Sequence, residues 1–383
     1  MNLAFAIFKY YPFGGLERNF LRVTEECLKR GHSVTVYTMN WHGEVPAHFA
    51  NYDFHLKVLS VRGFSNHIRC RSFGENLRNT LQNETFDLLV GFNRMPGLDL
   101  YYCADVCFKA DVRRRHGLLY RLTSRYRVYS SMEKAVFSPD SHTRVMVLSH
   151  IQKAVYQQEY GTPPSRFCDI PPGIDKHKIR DAVKHAEREK IRAALGLKEN
   201  TQMLLMVGSD FRRKGVMRTL KAAASLPEEK RARIKLFIVG KGKVEKYAYY
   251  AKKYDIDTVF TGGVDNVQEY YSAADLLIHP AVSENTGNAI VEALISGTPV
   301  IATSNCGYAF HIENSNAGMV VDGDNFSQEH LNSALNAFLE YTADEQKKLS
   351  INALEYSDKT DLYSRPQVIA DIIEQTVSEK VKN

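Results

Sequence analysis

The sequence predicts an α/β protein of two similar domains that face a central cleft. Short apolar runs alternate with Gly-containing turns and amphipathic stretches along the whole chain, as in parallel sheets covered by helices. The pattern breaks once, at 170–173 (IPPG), where two prolines and a glycine can continue neither a helix nor a central strand. A length of 383 residues fits two domains of ordinary size. We therefore predict domains at 1–170 and 173–362.

The first domain opens with an apolar run at 3–8 that predicts a buried strand. Gly14 and Gly15 follow it, and 16–30 has apolar residues at helical spacing, ended by Gly31. Further strands are predicted at 34–38, 86–91 and 144–148. Each strand followed by a helix is the unit of a Rossmann-like sheet.

The second domain repeats this order. A helix is predicted from about Val216, and strands at 203–207, 234–239, 258–260, 276–279 and 299–302. The segment 363–383 carries apolar residues at 368, 369, 372, 373 and 377, a helical spacing. We expect this last helix to return to the first domain.

Composition excludes several classes of protein. No apolar run approaches the ~20 residues of a membrane-spanning helix. The N-terminus has no basic residue before its short apolar run, so it does not resemble a secretory signal. Six cysteines without a CxxC pair indicate free thiols in a reducing compartment, and no zinc-type cluster accompanies them.

Positive charge is concentrated in the first half of the chain. Residues 1–172 hold 22 Lys and Arg against 15 Asp and Glu, whereas residues 173–383 hold 28 against 29. The segment 109–134 alone has eight cations and two acids, with leucines and tyrosines between them. Such a stretch favours an anionic membrane surface, but single-stranded nucleic acid or plain solvent would suit the same residue types.

Two loops have the composition of phosphate sites. Gly14 and Gly15 lie between the first strand and the first helix, where backbone N–H groups can approach an anion. The loop 208–215 (GSDFRRKG) follows a strand of the second domain and carries three adjacent cations. Either loop could instead be an ordinary turn, one a tight strand–helix connection and the other a solvated basic loop.

A pair of carboxylates marks the second domain. Glu284 follows the strand ending at His279, and Glu292 comes eight positions later, after Gly287 has opened a helix. This order predicts that both carboxylates face the cleft and that backbone N–H groups of 286–289 point at a phosphate.

With these motifs the chain resembles the retaining GT-B glycosyltransferases of family four, and within them the lipopolysaccharide core glucosyltransferases acting on the first heptose. The Glu-x7-Glu spacing and the 208–215 loop carry the family resemblance. The closer resemblance, to the core glucosyltransferases, rests on KYYPFGGLERNF (9–20), VGFNRMPGLD (90–99), ADVC (104–107), GLLYRLTSRYR (117–127), PPGI (171–174), AADLLIHPA (273–281) and NCGYAFHI (305–312).

The resemblance implies a GT-B fold, a UDP-glucose donor, no metal or other cofactor, and a lipid-anchored heptose-containing acceptor. It implies a cytoplasmic enzyme, peripheral on the inner face of the inner membrane and attached through Lys109–Lys134, with no nucleic-acid partner. It assigns catalytic roles to Asp105, Glu284, Arg213 and Lys214. The donor contacts it implies are Gly14, Gly15, Ser209, Arg213, Lys214, Glu284, Thr286, Gly287, Asn288, Ala289 and Glu292.

Within that scheme each residue type has a task. Glu292 would hold the ribose, Arg213 and Lys214 would neutralise the diphosphate, and Glu284 would contact the donor sugar. Asp105 would lie near the acceptor hydroxyl. Asn285, Thr286 and Asn288 replace small apolar residues of that group, which leaves another UDP-sugar open as donor.

Three other classes of protein remain open. A nucleotide-sugar epimerase or a polysaccharide phosphorylase could share the fold and the phosphate loops. A nucleic-acid-binding protein could use 109–134, although that function would leave the motifs of the cleft unexplained.

Overall fold

A computed structural model describes residues 1–12, 14–175 and 185–382. The chain forms two compact units, one of Met1–Gly173 with Ser364–Asn383 and the other of Ile174–Tyr363. The division falls beside the prolines of the predicted linker. No helix within the described ranges is long and apolar enough to span a bilayer.

The first unit contains a seven-stranded parallel sheet in the order β3-β2-β1-β4-β5-β6-β7. Its strands are β1 Asn2–Tyr10, β2 Ser33–Trp41, β3 Phe54–Val58, β4 Leu88–Gly91, β5 Leu100–Cys103, β6 Arg144–Val147 and β7 Phe167–Asp169. Its α-helices are Gly15–Lys29, Asn66–Leu81, Phe108–Arg115, Ser124–Phe137, His150–Tyr160 and Arg365–Lys382, with 3-10 helices at Ala47–Asn51, Leu118–Leu122 and Pro164–Arg166.

The second unit contains a six-stranded parallel sheet in the order β10-β9-β8-β11-β12-β13. Its strands are β8 Gln202–Val207, β9 Ile234–Val239, β10 Thr258–Gly262, β11 Leu276–His279, β12 Val300–Thr303 and β13 Gly318–Val321. Its helices are His185–Ala194, Phe211–Lys214, Val216–Ala224, Glu228–Arg231, Glu245–Lys253, Val267–Ala273, Asn288–Ile295, Phe310–Ser315, Gln328–Glu340 and Ala343–Lys359.

Both sheets are built from continuous apolar runs because helices cover both of their faces. In β1 the side chains of Leu3, Phe5 and Ile7 enter one core, and Ala4 and Ala6 enter the core on the opposite face. The second sheet divides its side chains between two cores in the same way. The parallel α/β architecture predicted from the alternating pattern is confirmed.

The last helix packs on the first unit. Ile369, Ile373 and Val377 are buried in the core that also holds Phe20 of the first helix. Buried Arg365 donates from Nε to the carbonyl oxygen of Pro171 at 2.8 Å, which fastens the start of the helix to this unit.

Sequence periodicity missed four strands, β3, β5, β7 and β13. Strands β3, β7 and β13 are sheet edges, where one long side has no neighbour and the apolar pattern is weak. Strand β5 is only four residues long. Strand order reverses between β1 and β4 and between β8 and β11, and ligands of such sheets bind beyond the strand ends at these points.

Candidate active site

The loop after β8 contains three residues with positive φ, Gly208, Asp210 and Gly215. Asp210 (φ 60°) begins the short helix Phe211–Lys214, and its Oδ1 accepts from the backbone N–H of Arg213 at 3.3 Å. Gly215 (φ 81°) ends the helix, and a Cβ there would lie 2.1 Å from the carbonyl oxygen of Pro280. Only glycine allows this close approach, which brings the basic loop against the loop that follows β11.

The central feature is a cluster of two cations and one carboxylate at the β8–β11 switch point. Lys214 Nζ lies 2.5 Å and Arg213 Nη1 2.8 Å from Oε2 of Glu284. Burial alone would raise the pKa of Glu284, but the cations, Lys214 foremost, hold that pKa below its usual range. Both cations bind Oε2, and Oε1 forms no hydrogen bond with a described residue.

His279, the last residue of β11, also belongs to the site. The sequence motifs predicted no role for it. The side chain is fully buried, and neither ring nitrogen has a hydrogen-bond partner among the described residues. Burial lowers its pKa to about 3, and the charge of Lys214 adds to the shift. His279 is therefore neutral at physiological pH. The available signal was a histidine ending an otherwise apolar strand, directly before Pro280.

The loop after Glu284 is held in place as the start of a helix. Glu284 pairs with Cys306 in an isolated parallel bridge, and the carbonyl oxygen of Thr286 accepts from Tyr308 N–H at 2.8 Å. Gly287 has φ 92°, and the helix Asn288–Ile295 follows at once, as predicted. N–H groups in a first helical turn have no acceptor within the helix, so this turn can bind an anion.

The second carboxylate of the motif has its own partner. Glu292 Oε2 accepts from Tyr271 Oη at 2.7 Å, and Tyr271 is fully buried. Burial raises the pKa of Tyr271 well above its usual value, and the charge of Glu292 adds to this. No hydrogen bond in the described part of the chain joins Glu292 to Glu284, so the motif supplies two separately supported carboxylates. Ser209, also predicted here, is exposed beside the basic loop.

In the first unit, Gly14 and Gly15 lie beyond β1 as predicted, but a carboxylate lies over them. A Cβ at Gly14 would fall 1.7 Å from Oε2 of Glu17. Burial raises the pKa of Glu17, so its charged form is disfavoured there. A phosphate at this turn would meet like charge unless Glu17 turned away or took up a proton.

Asp105 lies on the loop after β5, with its side chain half exposed. Its carboxylate is 3.6 Å from a nitrogen of Arg94, and Tyr156 Oη donates to its backbone oxygen at 3.2 Å. Arg94 also pairs with the fully buried Glu133. The backbone N–H groups of Phe108 and Lys109 donate to that same carboxylate at 2.7 and 3.0 Å, which fixes the helix start beyond Asp105.

The basic segment 109–134 forms two helices joined by the exposed 3-10 helix Leu118–Leu122. Several of its cations are neutralised within the unit: Arg113 pairs with Glu159, and Arg114 and Arg115 pair with Asp111.

Its tyrosines are packed rather than extended into solvent. Tyr126 and Tyr129 lie 5.9 and 5.6 Å, between ring centroids, from Phe108. The exposed apolar side chains of the segment are leucines, Leu118, Leu119 and Leu122.

Within the described residues, no three His, Cys, Asp or Glu side chains come together as a metal site. Arg213 and Lys214 supply positive charge for a bound anion in this part of the second unit. Two cations beside a helix start suit a diphosphate, and a carboxylate with an unbonded oxygen suits a sugar hydroxyl.

The comparisons with known proteins agree with this chemistry. The family model "Glycosyl transferases group 1" matches residues 187–356, and "Glycosyltransferase Family 4" matches residues 13–178. The two models, with two parallel α/β units, define the class: a glycosyltransferase with the GT-B fold.

Individual proteins resemble this chain over almost its whole length. The chain is 42% identical over 376 residues to the lipopolysaccharide glucosyltransferase WaaG of Escherichia coli K12, covering 97% of this chain and 98% of that protein. A crystal structure of WaaG superposes with a TM-score of 0.87 over 97% of this chain and 99% of that one. Anabaena Alr3699/HepE with UDP-glucose shares the fold, with a TM-score of 0.71 at 18% identity, over 99% of this chain and 100% of that one. The chain belongs to the family-four glycosyltransferases.

Proposed function

We propose that the protein is a retaining glycosyltransferase that moves glucose from UDP-glucose to the first heptose of the lipopolysaccharide inner core. The observation that carries this proposal is 42% identity to a lipopolysaccharide glucosyltransferase over almost the full length of both chains. The cation–carboxylate cluster at the β8–β11 switch point supports it independently.

The donor contacts follow from the charges. Arg213 and Lys214 neutralise the diphosphate, with Ser209 beside it and the first-turn N–H groups of 286–289 assisting. Oε1 of Glu284 accepts a hydroxyl of the donor sugar, and Glu292 accepts the ribose hydroxyls. Gly14 and Gly15 abut the diphosphate once Glu17 has left their turn.

Rate enhancement comes from stabilising the leaving group. Cleavage of the anomeric bond develops negative charge on the phosphate, and in this proposal Lys214 balances that charge. No carboxylate nucleophile has been assigned, so we favour attack from the leaving-group side, in which the departing phosphate takes the acceptor proton. Asp105, held by Arg94 at a strand end of the other unit, lies near the acceptor hydroxyl in this scheme.

One observation favours testing other donors. Oδ1 of Asn288 is buried without a hydrogen-bond partner in the described part of the chain. A buried unpaired acceptor costs roughly 1–3 kcal/mol, which a donor hydroxyl could recover. A hydroxyl of glucose or of another sugar could supply this hydrogen bond, so a UDP-sugar that differs from glucose in one hydroxyl or amide is the second candidate.

The test is acceptor-dependent release of UDP from UDP-glucose, UDP-galactose and UDP-N-acetylglucosamine, with heptose-terminated core as acceptor. We expect release from UDP-glucose only when the core is present. Preference for another sugar would favour the second candidate. Release without acceptor, or conversion of the sugar without release, would contradict transfer and favour a phosphorylase or an epimerase.

We further propose that the enzyme is cytoplasmic and works at the inner face of the inner membrane, through Lys109–Lys134. The segment has eight cations and two acids, and its cations Arg121, Arg125, Arg127 and Lys134 form no ion pair with a described residue. Each basic residue near an anionic surface contributes about 1 kcal/mol. The exposed Leu118, Leu119 and Leu122 provide the apolar contact of the segment.

The corresponding test is sedimentation with vesicles. We expect binding to anionic but not zwitterionic vesicles, and release by ~0.5 M salt because exposed charges are screened. Changing the three leucines to serine should weaken binding and spare transfer to delipidated, water-soluble core. Equal binding to neutral vesicles would contradict the assignment.

A further inference from the structure

The loop before the second helix displays a fully exposed phenylalanine. Phe64 has the most exposed side chain among the large apolar residues of the described chain. It lies in the turn between β3 and the helix Asn66–Leu81. A single exposed apolar side chain is common on protein surfaces, so the meaning of this one depends on the residues around it.

The loop is anchored, so the exposure of Phe64 is built into the fold. Asn76 Nδ2 donates to the carbonyl oxygen of Ser60 at 2.7 Å, and Arg62 N–H donates to Oγ of Ser72 at 3.0 Å. Gly63 has φ 102°, and a Cβ there would fall 2.4 Å from the side chain of Ile68. The tight turn therefore directs Phe64 away from the core.

The surroundings of Phe64 are cationic. Residues 54–74 contain Lys57, Arg62, Arg69 and Arg71 and no acidic residue. Arg62 and Arg69 form no ion pair with a described residue, unlike Lys57, which pairs with Glu84. An exposed aromatic ring with unpaired arginines two and five positions away in the sequence has the chemistry of a contact with acidic lipid headgroups.

This loop adjoins the basic segment 109–134. His67 Nε2 lies 3.0 Å from Oγ of Ser124, and its ring meets that of Tyr129 at 6.4 Å. Phe64 comes three residues before His67, and Leu122 comes two residues before Ser124. The exposed side chains Phe64 and Leu122 therefore lie two or three residues along the chain from the two ends of one hydrogen bond between neighbouring helices.

We propose that Phe64, with Arg62 and Arg69, forms a second membrane contact of the first unit and inserts its ring among anionic phospholipids. The proposal rests on the membrane attachment put forward under the proposed function, and it names a separate element that helps to make the attachment. Two contact elements resist tilting better than one, because each limits rotation about the other.

The experiment places a reporter at the loop. Phe64→Trp and, as control, Tyr249→Trp are made in the full chain, since Tyr249 is an exposed aromatic side chain of the second unit. The signal of the single natural tryptophan, Trp41, is subtracted with the parent protein. On phosphatidylglycerol-containing vesicles we expect a blue shift, and quenching by brominated lipid, at position 64 and not at 249.

A partition measurement gives the size of the effect. Phe64→Ser should lower the vesicle partition coefficient about fivefold, and Tyr249→Ser should leave it within about twofold. Transfer to delipidated, water-soluble core should be unchanged in both variants, which shows that fold and active site are intact.

Three results would overturn the proposal. If the protein sediments with vesicles while position 64 is not quenched and Phe64→Ser binds normally, the second contact is wrong and attachment through 109–134 stands. Equal quenching at 64 and 249 would show non-specific adsorption. Absence of vesicle binding would contradict both membrane proposals, while transfer to soluble core would still test the enzymatic function separately.

Discussion

Two buried carboxylates, one in each unit, bind cations and yet do different work. Glu133 of the first unit is fully buried and accepts from Arg94, from Tyr160 Oη at 2.7 Å and from two backbone N–H groups. Glu284 of the second unit binds Lys214 and Arg213 through one oxygen only. Glu133 has its hydrogen-bonding capacity used by the fold, whereas Glu284 has an acceptor left for a ligand.

This difference separates a structural ion pair from a candidate site. Both clusters lie near the carboxyl ends of parallel strands, and both contain an arginine. Burial and charge alone therefore do not distinguish them. Unused hydrogen-bonding capacity does, because a group already satisfied by the protein gains little from a substrate.

Removal of the structural carboxylate Glu133 should have the largest effect on stability. Glu133→Gln leaves Arg94 with only the half-exposed Asp105, 3.6 Å away, as a charged partner, and breaking a buried pair costs about 3–5 kcal/mol. We expect that loss in the free energy of unfolding, measured with urea. Glu284→Gln, the matched change, should cost about 1 kcal/mol because its cations remain partly solvated, and should act mainly on turnover. The reverse order of the two stability losses would refute our distinction.

The converse change removes a cation of the site. Lys214→Ala should lower kcat about 100- to 1,000-fold, the effect of deleting one group that stabilises developing negative charge. Its melting temperature should change little, because Arg213 still pairs with Glu284. The exposed neighbour Arg212 serves as control, and Arg212→Ala should stay within about twofold. A kcat within threefold of the parent in folded Lys214→Ala would end the assignment.

The buried His279 makes the stability of the second unit depend on pH. The unfolded imidazole takes up a proton below about pH 6.5, whereas the folded one does so only near a pKa of about 3. The unfolded state thus binds more protons between these values, and stability falls as the pH falls through that window. The expected loss from pH 7 to pH 5 is about 2 kcal/mol. His279→Leu should lose less over the same interval by that amount, and identical pH profiles would show that His279 titrates normally.

The smallest effect concerns the nucleotide. Glu292→Ala removes the proposed acceptor of the ribose hydroxyls, a charged hydrogen bond of about 1.5–3 kcal/mol. Calorimetry should show UDP binding weakened at least about tenfold. Tyr271→Phe, which deletes only the hydroxyl that supports Glu292, should weaken it less, by about threefold. Unchanged UDP affinity in Glu292→Ala would show that the ribose is held elsewhere.

Local sequence patterns predicted the strands with buried apolar runs and the loops at their carboxyl ends, because both are set by neighbouring residues. They also predicted that Gly287 opens a helix. They could not predict that Lys214 meets Glu284, 70 positions away, or that Tyr271 supports Glu292, since these contacts depend on strand order. The burial of His279 and the position of Glu17 over Gly14 likewise follow from packing.

The most direct test of the account is the mass of the product. Heptose-terminated core lipid is incubated with UDP-glucose and either the parent enzyme or Lys214→Ala, and analysed by mass spectrometry. We predict that the parent adds one hexose to the core and that the variant, at equal time and concentration, adds almost none. An unchanged core mass with the parent, or equal addition by both proteins, would contradict a glucosyltransferase whose chemistry depends on the cation–carboxylate cluster of the second unit.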